Sequence, residues 1–315
     1  MKGDKHGKGY KRDSIRHGTR SAYINRYNAR IREVIGGMPV GDVKPMHCQM
    51  VINQSANAGE CEESMKKTRV IMKAIFEAAV DNMMIEKNPV TKIVKIPRRE
   101  KKERRVLAKS EQDRFVEMAK DSAHYDEYRF VLETGVRCGE LCGLLWKNVD
   151  LKNRRISIEH SLEYRTDIQE FVNNPPKSSS GYRMISLTKT AYNILVNRQE
   201  SQKHMEIPEE YQGLVFLNCN GNPTHRGIYN RALKQIAKDM DVPSFSMHSL
   251  RHTFATRCIE AGVRPKSLQK LMGHSEIGIT MDLYVHATDE EAVNEMRKLE
   301  TYFSSDSGET EESDE

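Results

Sequence analysis

The sequence predicts a mainly α fold with a small antiparallel sheet (α+β), laid out as a helical domain followed by a larger, mixed helical domain. Three observations carry this. Apolar residues recur at helical spacing through most of the 315 residues. Strict alternation replaces that period only between Arg154 and Leu187. A segment with no apolar face, KIPRREKKERR at residues 95–105, interrupts the pattern and reads as a linker between two bodies of ordinary domain size.

The first 18 residues are polar and rich in Gly and Lys, so they predict a flexible basic arm. A first helix spans Thr19–Ile35, with Ile24, Tyr27, Ile31, Val34 and Ile35 on one face and Gly36-Gly37 ending it. Pro45 opens a second helix at a first-turn position. A long third helix runs from about Cys61 to Met84, with Ile71, Ile75, Phe76, Ala79, Val80 and Met83 as its core face, and Pro89 closes the segment. Residues 19–94 thus form a small helical bundle. Beyond the linker, residues 110–121 and 125–147 read as helices. Ile156 and Ile158 alternate with polar residues, as does Tyr182–Leu187, which predicts a small antiparallel sheet with its turn near 173–181. Helices follow at about 189–203, 224–240, 247–261, 265–272 and 277–285. A last amphipathic stretch, 289–303, places Val293, Met296, Leu299 and Phe303 on one face. The tail, SSDSGETEESDE at 304–315, lacks apolar residues and reads as disordered.

Charge is unevenly placed. Residues 1–105 hold 24 Lys and Arg against 12 Asp and Glu, whereas the last twelve residues hold six acids and no base. A basic front half suits a polyanion, because each cation set against a phosphate releases condensed counterions, although a merely solvated surface would look the same. No stretch approaches the roughly 18 apolar residues of a membrane span, and no apolar region follows the basic N-terminus as in a secretory signal. Six cysteines without a CxxC pair suit reduced thiols and a cytoplasmic setting.

Four segments gather basic and nucleophilic residues that could converge on a phosphate: Thr134-Gly-Val-Arg137-Cys-Gly-Glu140-Leu, Pro176-Lys177-Ser-Ser-Ser-Gly-Tyr-Arg183, His248-Ser-Leu-Arg251-His252, and Met272-Gly-His274-Ser with Tyr284 ten residues after the histidine. In this order and at these spacings, from about Val106 to His286, the pattern resembles the tyrosine recombinase (phage integrase) family. The run from LRHTFATRCIEAGV to LMGHSEIGITMDLYVH carries the most specific part of the likeness. The resemblance implies a catalytic domain at 106–303, a core-binding DNA domain at 19–94, and a catalytic set of Arg137, Lys177, His248, Arg251, His274 and the nucleophile Tyr284.

The residue types make physical sense for that chemistry. Cleaving a phosphodiester builds charge on non-bridging oxygens, and two guanidinium groups offer fixed forks of donors for it, the role read for Arg137 and Arg251. Glu140, three residues from Arg137, is either an orienter of an arginine or a plain helix-start carboxylate. A phenol titrates near 10 and is a weak nucleophile until a base or positive charge favours its phenolate, which the Arg and His cluster would do for Tyr284. His248 and His274 are the acid/base and phosphate-donor candidates. His248 and His252, four apart, also match half a zinc site, but the glutamate that such a motif needs at 249 is a serine. The resemblance makes Lys177 the general acid for the leaving 5′ oxygen, with Lys189 and Arg183 as alternatives.

The implied function is site-specific DNA recombination through a 3′-phosphotyrosyl intermediate. The bond energy stays in the protein linkage, so no cofactor or metal is expected. The implied partners are double-stranded DNA, a homotetramer on two DNA sites and an accessory DNA-bending or directionality protein. The 289–303 stretch is the candidate for exchange between protomers, or else packs on its own domain. The basic arm and acidic tail favour the integrase of a mobile element, phage or conjugative transposon. Three readings stand beside it: a housekeeping chromosome-dimer resolvase, a monomeric DNA-relaxing enzyme and a non-catalytic DNA-binding regulator on the same fold.

Overall fold

In the computed structural model, which describes residues 17–99, 105–176 and 179–287, the chain divides into two units, Met1–Glu103 and Arg104–Glu315. The basic arm over residues 1–16, the middle of the linker at 100–104, Lys177, and the amphipathic stretch and tail at 289–315 lie outside the described residues.

In the first unit, α1 (His17–Arg26) passes through a π turn at Tyr27–Ile31 into α2 (Arg32–Ile35). The expected helix is there, but its face is not continuous. The wider π turn shifts the angular phase, so Ile31 and Ile35 are buried while Ile24 is 48% exposed. Gly36 leaves in an ordinary right-handed conformation, φ −68°, rather than as a left-handed cap. Arg26 and Arg30 both bond Glu60, at 2.6 and 2.7 Å, which ties this helix to the turn before α4. Pro45 starts α3 (Pro45–Asn57) as expected, and Cys61 precedes α4 (Glu62–Asp81). The buried stripe of α4 is Met65, Thr68, Ile71, Met72, Phe76 and Ala79. Ile75 is exposed, and Met83 lies past the helix end with φ 55° and 93% exposure, so neither belongs to the core face assigned to it. Ile31, Val51, Ile52, Met65, Met72 and Phe76 form the centre of this unit.

The second unit begins with α5 (Lys109–Met118) and α6 (Tyr125–Thr134). The single helix expected over 125–147 breaks at Gly135. This residue adopts φ 64°, and its N–H returns to the Val131 carbonyl as a left-handed cap. A second, short helix, α7 (Cys138–Cys142), follows. Apolar spacing runs on through the break, which is why periodicity alone joined the two.

The sheet corrects a second expectation. Strands β1 (Val149–Asp150) and β2 (Arg155–Ile158) pair antiparallel. The hairpin β3 (Ser161–Arg165) and β4 (Glu170–Asn174) then intervenes before β5 (Arg183–Ser186). The two alternating runs do pair, Ile156 opposite Ile185, but no simple turn joins them. The turn of the inserted hairpin lies between Arg165 and Glu170, and Tyr164 packs across it on Phe171 at 5.0 Å. Its strands are too polar to alternate clearly. The remaining helices match expectation: α8 (Lys189–Gln202), α9 (Arg226–Asp239), α10 (Met247–Glu260), α11 (Pro265–Met272) and α12 (Ile277–Ala287). A core around Phe115, Tyr128, Phe130, Leu195, Phe216, Tyr229 and Leu250 holds α10 against α6. A smaller cluster of Ala255, Ile259, Leu268, Met272 and Leu283 joins α10, α11 and α12.

Candidate active site

Helix α10 is started by a reciprocal cap. The Ser246 hydroxyl accepts from the Ser249 N–H at 3.3 Å, and the Ser249 hydroxyl accepts from the Ser246 N–H at 3.2 Å. This start leaves His248 exposed at the rim and turns Arg251 and His252 inward. The His248 and His252 rings meet edge to face at 4.3 Å. Arg251 is 2% exposed, and its guanidinium donates to the Gly135 carbonyl and to the Met272 carbonyl. Burial, with the Arg137 charge nearby, pulls its pKa down to about 9, so it stays a cation at neutral pH.

The break at Gly135 places Arg137. Arg137 stands at the N-cap of α7, where the Glu140 carboxylate accepts its backbone N–H at 2.8 Å and one of its guanidinium N–H groups at 2.7 Å. A second guanidinium nitrogen donates to the Gly273 carbonyl at 2.9 Å. The Arg137 side chain is 41% exposed, so it is the open member of the pair.

Glu140 thus contacts more than one arginine. Arg183 from β5 forks onto both its oxygens at 2.7 and 3.1 Å, and Arg251 stands 4.0 Å away. Burial alone would raise the Glu140 carboxyl, but the bonds and charge of Arg183, with Arg137 behind it, hold it at about 2. Arg183 also donates through Nε to the Leu271 carbonyl at 2.7 Å. Three guanidiniums from three elements thus end on three consecutive carbonyls, Leu271, Met272 and Gly273, at the C-terminus of α11. A helix end collects unpaired carbonyls and partial negative charge, so it suits cations. Gly273 makes this possible by adopting φ 60°, and a Cβ there would lie 3.0 Å from an Arg183 nitrogen and from the Ser180 carbonyl. Three guanidiniums against one carboxylate leave an excess of positive charge, which suits the non-bridging oxygens of a phosphate.

His274 follows directly. It is buried, and its Nδ1 pairs with the Thr280 hydroxyl at 2.9 Å. Tyr284, on α12, is half-buried against the small cluster, and its hydroxyl donates to the Val263 carbonyl between α10 and α11. Burial, and then the neighbouring Cys258, push its phenol up, the opposite of the lowering expected from the arginine cluster. The structure thus gathers Arg137, Glu140, Arg251 and His274 around the α11 terminus and turns the Tyr284 hydroxyl to a backbone carbonyl. Lys189 is exposed at the start of α8.

Sequence reasoning missed the place of Arg183 and the partner of His274. A signal for the first existed. Arg183 shares strand parity with Ile185 and Leu187, so it points to the buried side, where a cation needs a carboxylate.

Comparison with known proteins gives the same class. A sequence model of the phage integrase family matches residues 99–291, and one of the phage integrase central domain matches 7–95. The chain therefore belongs to the phage integrase family, the tyrosine recombinases. The transposase from transposon Tn916 of Enterococcus faecalis is 30% identical over 283 residues, which cover 85% of this chain and 69% of that protein. The ICEBs1 integrase of Bacillus subtilis is 24% identical over 234 residues, 72% of this chain and 62% of that one. The Tn1549 transposon integrase, solved in complex with a circular intermediate DNA, superposes with a TM-score of 0.78 at 27% identity, covering 91% of this chain and 95% of that chain. In kind, the protein is a site-specific recombinase of a mobile element. Among the described residues no helix is long and apolar enough to cross a membrane.

Proposed function

We propose that this chain cuts and rejoins double-stranded DNA to integrate and excise its element, with Tyr284 as the nucleophile. The observation that carries this reading is the convergence of Arg137 and Arg251, with Glu140 between them, on the turn that presents His274. The scissile phosphate takes its place against the two guanidiniums, whose charge stabilises the pentacovalent phosphorus. The Tyr284 oxygen forms the new bond to phosphorus as its proton passes to His248, the bond to the 5′ oxygen breaks, and that oxygen leaves with a proton assigned to Lys177. With Nδ1 engaged by Thr280, the other ring nitrogen of His274 is the one assigned to the phosphate, and His248 serves proton transfer at the rim. Attack by the 5′ hydroxyl of a partner strand reverses the step, so the phosphodiester is conserved without ATP. Four copies on two DNA sites carry out the exchange in the cytoplasm, with a DNA-bending or directionality protein as accessory.

The test is a duplex nicked beside the target bond, so that the cleaved fragment diffuses away and trapped protein accumulates. A heat-stable, protease-sensitive DNA adduct is expected, and sequencing its ends locates the site. DNA binding without any adduct would leave a non-catalytic binder.

A further inference from the structure

We infer that Arg183 is a positioning residue for strand cleavage: with Glu140 it holds the α11 C-terminus in the register at which Arg137, Arg251 and His274 share one phosphate. The inference rests on the recombinase reading above and goes beyond it, since no step of that reading uses Arg183.

Four observations support it. First, four of the five N–H donors of Arg183 are committed: two to Glu140, one to Leu271 and one to Gly181. Little of it remains to touch a substrate, so neither the general-acid role nor a direct phosphate contact suits it. Second, Arg137 and Arg251 each spend only two donors in bonds of this kind, on Glu140 and Gly273 for one and on Gly135 and Met272 for the other. They keep donors for a ligand. Third, the three arginines occupy adjacent carbonyls, so moving Leu271 moves Met272 and Gly273 and the guanidiniums bound to them. Fourth, Glu140 is 6% exposed and is balanced chiefly by Arg183. Without Arg183, the charges left to Glu140 are Arg137 at 2.7 Å and Arg251 at 4.0 Å, whose forks would be drawn from the phosphate onto the carboxylate.

Arg183 belongs to β5, which follows the segment 176–181 and pairs with β2. Its Nη1 bond to the Gly181 carbonyl at 3.2 Å and the closeness of Gly181 to Pro176 tie those two residues to the same arginine. One side chain thus joins the start of β5 to the end of α11.

The experiment uses the full chain and the nicked duplex with two forms of the target bond, a normal phosphate and a methylphosphonate, whose methyl group removes the negative charge that the arginines neutralise. Arg183→Met should bind DNA within about threefold of wild type and cleave the phosphate at least about 100-fold more slowly at saturating DNA, the size of effect that a misplacement of about 1 Å produces. On the methylphosphonate the deficit relative to wild type should shrink to about tenfold or less, because the clamp that Arg183 aligns is needed less there. Arg183→Lys should fall between wild type and Arg183→Met. Cleavage by Arg183→Met within threefold of wild type would overturn the inference. So would an equal deficit on both substrates together with a lowered Tm, which marks a purely structural arginine. If Arg183→Met fails to fold, Arg183→Met with Glu140→Met removes both buried charges and leaves neither unpaired. That pair should fold and remain defective on the phosphate, and wild-type rates from it would equally overturn the inference. Wild type and Tyr284→Phe run beside them. No adduct from wild type would bring down the recombinase reading and this inference with it, whereas a Tyr284-dependent adduct with normal Arg183→Met would bring down this inference alone.

Discussion

Arg137, Arg183 and Arg251 reach the α11 terminus from an N-cap, a strand and a buried helix, and each ends on its own backbone carbonyl while sharing Glu140 with the others. Tyr284 sits on the next helix, ten residues beyond His274, with its hydroxyl on the Val263 carbonyl and its phenol pushed up by burial. Under the proposed function, Arg137 and Arg251 stabilise charge, and each is held by more than one bond, as preorganised electrostatics require. Tyr284, the nucleophile of that reading, donates to a backbone carbonyl. Under the proposed function, Tyr284 exchanges a carbonyl for a phosphate, and the lowering of its pKa arrives with that move. On that reading, cleavage waits on the move that takes the Tyr284 hydroxyl from Val263 to the phosphate.

Four measurements break or sharpen this contrast, the largest effect first. Tyr284→Phe removes the oxygen and keeps the ring, so the adduct should vanish while DNA binding persists and stability changes by only about 1 kcal/mol, the net value of one hydrogen bond. An adduct from the Phe variant would remove Tyr284 from its role. Arg137→Lys and Arg251→Lys keep charge and lose the fork. Each should slow cleavage by roughly 100-fold or more, in line with the ~2.7–4 kcal/mol that one oxyanion donor is worth. Only Arg251→Lys should also lower Tm, since its carbonyl partners lie in the buried interior. Near-normal cleavage by either variant would show that the clamp is not where the arginines converge.

The third measurement is acid unfolding. The Glu140 carboxyl has an ordinary value of 4.5 and is held at about 2 in the fold, so its contribution of about 3 kcal/mol is present above 4.5 and is lost as the pH falls towards 2. Wild-type stability should drop across that window. Glu140→Gln should be less stable at neutral pH, because Arg183 loses its buried partner, yet flatter between 4.5 and 2. Parallel curves would mean that the triad is not tied by this carboxylate. The smallest effect belongs to Thr280→Val, which removes the hydroxyl from His274 Nδ1 and should cost about tenfold in cleavage with little change in Tm. No kinetic change would show that the ring is held by its packing instead.

Much of the helical pattern was legible in advance. Pro45 and the spacing of α8 to α12 are local, and local chemistry predicts local structure. The failures have a common cause. The π turn at Tyr27–Ile31, the cap at Gly135 and the inserted β3–β4 hairpin each change the direction of the chain without interrupting the apolar pattern or while diluting it. Glu140 was seen as a possible orienter because it sits three residues from Arg137, a spacing that a helix start makes meaningful. Its bond to Arg183, 43 residues on, has no such local sign.

By itself, then, the sequence determined the class of elements, the order of Arg137, His248, Arg251, His274 and Tyr284, and the reason those residue types suit a phosphodiester. Only the tertiary structure decided that Arg183 and Glu140 form a buried pair, that three arginines close on Leu271, Met272 and Gly273, and that Tyr284 turns to Val263. The physical reason is that the decisive acceptors are backbone carbonyls. Every residue carries one, so nothing in a side-chain alphabet marks which of them will lie unpaired at a helix end, and only the packed fold brings a particular guanidinium or phenol within reach of it.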